Sequence, residues 1–180
     1  MHHDETGVMG RRGLEQTEEV DKIADPFNLG SRFCARHKAD FPRALSEIKA
    51  GRKRSCWSWY VFPTAPFVVD GRERGSGTNK FFALRDEPPN DFRGDDAARA
   101  YLKFEADGVN LRSNYLDMMK AVTVQLNNGI DPEELVGVLD DPKLRSSLRL
   151  FERISRGGVD PEVHEVCVKA LEALDERLDD

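Results

Sequence analysis

The sequence predicts a mainly α, compact single-domain bundle of six or seven helices with a short irregular or β-hairpin excursion around residues 63–91. Three observations carry this. Apolar residues recur every three or four positions through most of the second half, Asp-Pro pairs and glycines fall where those stretches begin and end, and the strand–helix alternation of a parallel sheet is missing. At 180 residues, 39% hydrophobic and 33% charged, the chain is long enough to bury a core without disulfides or metal.

Residues 1–24 mix Gly, Glu, Asp and Arg without apolar periodicity, so a flexible tail is expected there and one helical domain over 25–180. Order should begin at Asp25-Pro26-Phe27. Leu29, Phe33 and His37 then follow helical spacing, and Asp40 reads as the cap of a second helix carrying Phe41, Leu45 and Ile48, ended by Gly51. Between Pro63 and Asp91, turn residues surround two apolar pieces, Phe67–Val69 and Lys80–Leu84, which fit a hairpin or a long loop over a site. Ala97, Tyr101 and Phe104 define a short helix. Leu111, Tyr115, Met118, Val122 and Leu126 define a longer one that stops at Asn128-Gly129.

Asp131-Pro132, Asp141-Pro142 and Asp160-Pro161 each offer a capping carboxylate followed by a proline already at the helical φ. The last helix places Val163, Cys167, Leu171, Leu174 and Leu178 on one face, with Glu162, Glu165, Lys169, Glu172 and Glu176 outside.

Composition narrows the function classes. A formal charge of -6 argues against general nucleic-acid or membrane-surface binding, so any anion site must be local. No apolar run reaches the roughly 18 residues a membrane span needs, and residues 1–24 show no signal-peptide pattern; a cytoplasmic location is expected. Cys34, Cys56 and Cys167 are widely spaced and odd in number, which supports reduced thiols rather than a disulfide framework or a zinc site. His2, His3, His37 and His164 have no neighbours at ligand spacing, so neither a metal nor another cofactor is expected.

Two segments concentrate chemistry. Residues 51–63 hold both tryptophans directly behind Arg52, Lys53 and Arg54. If extended, Trp57 and Trp59 share one face, either as core or as a platform beside the cations for a stacked base or sugar. Cys56, next to the same cations, is the candidate reactive thiol. Residues 140–151 form the second segment: Leu144, Leu148 and Phe151 face a core and Asp141 caps the helix, which leaves Asp140, Lys143, Arg145 and Ser146 beside a helix N-terminus that favours an anion or polar ligand. Arg145, Arg149 and Arg153 continue as a basic stripe, read as a solvated face or, less simply, a phosphate contact. The adjacent carboxylates Asp95-Asp96 and Asp140-Asp141 do not support a glycosidase, and residues 75–80 resemble a phosphate loop only faintly.

Taken together, these segments resemble the domain of unknown function 1810 family. The likeness rests on Asp25-Pro26-Phe27-Asn28-Leu29 with Arg32-Phe33; on Gly51-Arg52-Lys53, Trp57, Trp59 and Phe62-Pro63; on Ala98, Tyr101 and Leu102; and on Asp140, Asp141, Lys143, Leu144, Ser146 and Ser147. It covers about residues 25–175 and implies a small, nearly all-helical domain, with no established substrate, cofactor or catalytic residue. Cys56, Ser58, Thr64 and Arg149 depart from the family's usual His, Met, Gln and Thr, and the stretch from Pro63 to Leu84 is longer than usual.

The leading expectation is a binding module whose tryptophan segment meets the Asp140–Ser147 turn around a small polar, anionic or nucleotide-like ligand. A hydrolase or transferase using Asp140 or Asp141 as base, with Lys143 or Arg145 steadying charge, is the alternative. A protein-interaction domain, its partner unknown, is the third.

Overall fold

The computed structural model describes residues 25–87 and 92–175; the expected tail with His2 and His3, the expected turn at Pro88, Pro89 and Asn90, and the positions Glu176 and Leu178 assigned to the last helix from sequence lie outside them. The described residues are mainly helical. A π-helical turn, Gly30–Cys34, runs into α1 (Ala35–Lys49), followed by the one-turn α2 (Ser58–Val61), hairpin strands β1 (Val68–Val69) and β2 (Arg72–Glu73), α3 (Gly77–Phe82) and α4 (Asp95–Tyr101). A second hairpin, β3 (Glu105–Ala106) and β4 (Val109–Asn110), leads into α5 (Leu111–Asn127), α6 (Pro132–Val136), α7 (Asp141–Ser155) and α8 (Pro161–Asp175). Both hairpins are antiparallel, pairing Val68 with Glu73 and Glu105 with Asn110.

Helix α5 is the centre because it is apolar on two sides: Tyr115, Met118, Met119, Val122 and Leu126 are all buried. It lies between α1 and α8, α8 packs on α7, and α4 closes the far side of α7. Phe33, Tyr101, Tyr115 and Phe151 form a chain of tilted and edge-on ring contacts with centroids 4.3–5.5 Å apart through this core.

Asp25 is the first described residue, its carboxylate accepting the Leu29 and Gly30 amides at 2.7 and 2.9 Å. Arg32 then fastens this entry to the excursion by donating to the carbonyls of Phe27, Phe81 and Ala83. Asp131 caps α6 through the Glu133 amide and Asp160 caps α8 through the Val163 amide, as their Asp-Pro pairs predict.

Several expectations are corrected. The two helices expected on either side of Asp40 are one, α1, which runs through Pro42. Pro42 is exposed, so water can satisfy the carbonyl its missing N–H leaves open. Asp40 caps nothing; it accepts from the Tyr60 hydroxyl and from Arg43. The excursion hairpin spans only residues 68–73, and the Lys80 region, expected in a hairpin or a long loop, is helical, because Ser76 caps α3 through the Asn79 amide. Helix α4 ends at Tyr101, and Phe104 precedes a hairpin that the periodicity reading missed. The signal was Asp107-Gly108: like Asp70-Gly71, both residues have positive φ, the geometry of a tight type I′ turn.

Candidate functional site

Residues 51–57 leave α1 and fold back over its last turn. Glu47 directs them: its carboxylate accepts the Arg54 and Ser55 amides at 2.8 and 3.1 Å, the Ser55 hydroxyl, and Trp57 Nε1 at 2.8 Å. Burial by itself would raise the Glu47 pKa, but these four hydrogen bonds outweigh it and hold the carboxyl at about 2. The sequence reading missed Glu47, because a Glu near a helix end has no local signature for a partner ten residues away. The Lys53 amide, bound to the Leu135 carbonyl at 2.7 Å, brings the same segment against α6.

This backbone path overturns the extended reading of the tryptophans. Residues 58–61 form a helical turn with Trp57 at its N-cap, so the segment is not extended and the indoles have different surroundings. Trp57 is wholly buried, edge-on to Phe62 at 5.3 Å, and belongs to the core rather than to a ligand platform. Trp59 is half-buried and lines a groove.

Asp140 is where the two chemical segments meet. Its carboxylate accepts Ser58 Oγ at 2.8 Å and pairs with Lys53 Nζ at 2.9 Å; the same ammonium lies 5.2 Å from the Trp57 ring centroid. Asp140 therefore occupies the N-cap position of α7 without its side chain capping the helix. Asp141 does not cap it either: Asp141 is the first residue of α7 and pairs with Arg145 at 3.1 Å, one turn on. Arg145 also reaches Asp175 of α8, so this pair faces away from the tryptophan segment.

A groove of about 730 Å³ separates the excursion, with Phe67, Arg74 and Asn79, from the first three turns of α7, with Lys143, Ser146 and Arg149; Trp59, Leu139 and Asp140 also line it. The acids of its lining are neutralised from outside it, Asp140 by Lys53 and Glu73 by Arg85, while Arg153 is held by Asp95 at 2.6 Å. Its other cations are not. Lys143 donates to the neutral Asn79 side chain at 3.0 Å, and burial pushes its pKa down against the raising effect of Asp140. Among the described residues, neither the Arg74 nor the Arg149 side chain has a hydrogen-bond or ion-pair partner. Three positive charges thus face one groove without an acid of their own.

The candidate residues are divided accordingly. Trp59, Asp140, Lys143 and Ser146 line this groove. Arg52, Lys53 and the exposed Cys56 line a smaller one of about 390 Å³ on the other side of Asp140, where Glu133 and Glu134 offset the cations. Trp57, Asp141 and Arg145 line neither. Phe67, Arg74 and Asn79 escaped the sequence reading because hairpin and loop positions carry no periodic signal of what they face. A third cleft, about 670 Å³ beside Arg32 and Asp86, is built from structural groups: Asp86 accepts the first-turn Ala97 amide of α4 and Arg32 binds carbonyls.

Among the described residues no three His, Cys, Asp or Glu side chains gather as a metal site, and no helix is long and apolar enough to cross a membrane. The model of a family described as a protein of unknown function, DUF1810, matches residues 26–172. No curated protein and no solved structure matches the chain.

Proposed function

Because the chain belongs to the DUF1810 family, whose description names no activity, we propose its function from the groove: a binding module for a small anionic, nucleotide-like ligand held between the excursion and α7. One observation carries the reading, the convergence of Arg74, Lys143 and Arg149, none of them ion-paired to an acid among the described residues, in a protein whose formal charge is -6. Guanidinium groups left unpaired suit phosphate or carboxylate oxygens, which they bind in a planar two-point geometry. The half-exposed indole of Trp59 and the ring of Phe67, 63% exposed, offer faces for a flat ring, and Ser146 and Asn79 offer polar contacts for a sugar.

Binding is favoured over the hydrolase or transferase alternative. A general base needs a free carboxylate within reach of the reacting atom. Asp140 already holds Lys53 and Ser58, and Asp141 is paired with Arg145 away from the groove.

A thermal-shift screen with nucleoside monophosphates, sugar phosphates and NAD fragments tests the proposal. A ligand present at 100 times its Kd stabilises by about 2.7 kcal/mol, a rise of roughly 5–10 °C in Tm for a chain of this size. The gain is expected to vanish in Arg149→Ala. No stabilisation by any of these compounds at millimolar concentration would overturn the reading.

A further inference from the structure

Lys143 is set apart from the other lysines by its surroundings. Among the described residues only Lys53 and Lys143 are lysines withdrawn from full exposure, and Lys53 is committed to Asp140. Lys143 has a neutral partner instead, the Asn79 side-chain oxygen, and shares its groove with two unpaired guanidinium groups, Arg74 and Arg149. An ammonium in such a place loses hydration, which outweighs the attraction of Asp140, while the neutral amine loses little. Desolvation of this kind is one way a lysine becomes nucleophilic toward a carbonyl.

Resting on the anion-binding reading above, we propose that the groove takes an aldehyde or 2-oxo compound bearing a phosphate or carboxylate, and that Lys143 condenses with its carbonyl to an imine. The anionic group sits on Arg149 and Arg74, leaving the carbonyl carbon for Nζ. The neutral amine attacks that carbon, a C–N bond forms, and the carbonyl oxygen takes a proton to give a carbinolamine. The nitrogen then loses its remaining protons to solvent as the hydroxyl takes one and departs as water, so amine and carbonyl become imine and water with no change in oxidation state. Burial of Lys143, which lowers its pKa, increases the fraction of the amine in the attacking form.

The test uses the full chain and two probes, pyridoxal 5′-phosphate, which carries a phosphate, a flat ring and an aldehyde, and pyridoxine 5′-phosphate, its alcohol counterpart. After borohydride reduction, peptide mapping is expected to find one equivalent of adduct at Lys143. Excess pyridoxine 5′-phosphate should suppress it, and Lys143→Arg should lose it while the ligand-free chain keeps its Tm. Label spread over exposed lysines such as Lys38 and Lys80, or absent while pyridoxine 5′-phosphate still stabilises the protein, overturns the imine and leaves anion binding standing. Absence of any thermal shift from pyridoxine 5′-phosphate counts against both.

Discussion

Glu47 shows how one side chain can organise a segment. It spans the end of α1 and the start of the tryptophan stretch and satisfies an indole N–H whose ring is wholly buried, together with two backbone amides. Removing the carboxylate leaves the Trp57 indole N–H and the Ser55 amide, both part-buried, without their acceptor, while water can reach the Arg54 amide. Each buried orphan costs about 1–3 kcal/mol, so Glu47→Ala is expected to lose roughly 2–4 kcal/mol in urea unfolding. A loss below about 0.5 kcal/mol, the range of ordinary surface changes, would show that the segment holds itself without Glu47. Asp140 has the corresponding role on the other side of Ser58, which places its charge between two grooves while leaving it little freedom.

Elements here are set by short capping and turn signals more than by length. The two hairpins need only two residues per strand because Asp-Gly at each tip supplies the left-handed pair that a tight turn demands. Helix α4 depends on an unusual start. Its N-cap is Gly94, at φ 72°, and the first-turn Ala97 amide is taken by Asp86 from a distant stretch of chain. A Cβ at Gly94 would meet the Leu84 carbonyl oxygen at 2.4 Å, on backbone that cannot easily move. Gly94→Ala therefore combines a clash with a disfavoured φ, and a loss of about 2–4 kcal/mol is expected by thermal or urea unfolding. A neutral or stabilising result would mean that α4 can begin elsewhere.

At the scale of the whole molecule, His37 is the residue that joins distant parts. It projects from α1, donates from Nε2 to the Tyr60 carbonyl at 2.7 Å, accepts at Nδ1 from Asn114 of α5 at 3.0 Å, and stacks on Phe41. Burial drives its pKa from 6.5 down to about 4, against the raising effect of the Tyr60 carbonyl. The folded protein thus keeps a neutral ring while the unfolded chain takes up a proton below pH 6.5. Stability from this group is complete above that pH and is lost as the pH falls to about 4, by roughly 3 kcal/mol in all. Below it, protonation of Glu47, from its ordinary 4.5 down to about 2, removes more. Urea midpoints across this range check the sign, and His37→Gln, which keeps a donor but cannot titrate, is expected to flatten the upper part. A wild-type profile already flat from pH 6.5 to about 5 would refute it.

The long helices, their apolar faces, the Asp-Pro starts of α6 and α8, and the two segments that carry polar chemistry follow from periodicity and capping, because both act over a few neighbouring residues. The same local logic failed where a distant partner decided the outcome. Asp40 and Asp141 look like caps but serve Tyr60 and Arg145, Asp140 looks available to a ligand but holds Lys53 and Ser58, and Trp57 looks equivalent to Trp59 but is buried in the core. Local pattern was enough to specify a mainly helical chain and the residue types available to a site. Which cations were left without acids, and so which groove carries net positive charge, was decided only by the tertiary structure, because charge compensation depends on distances between residues far apart in the chain.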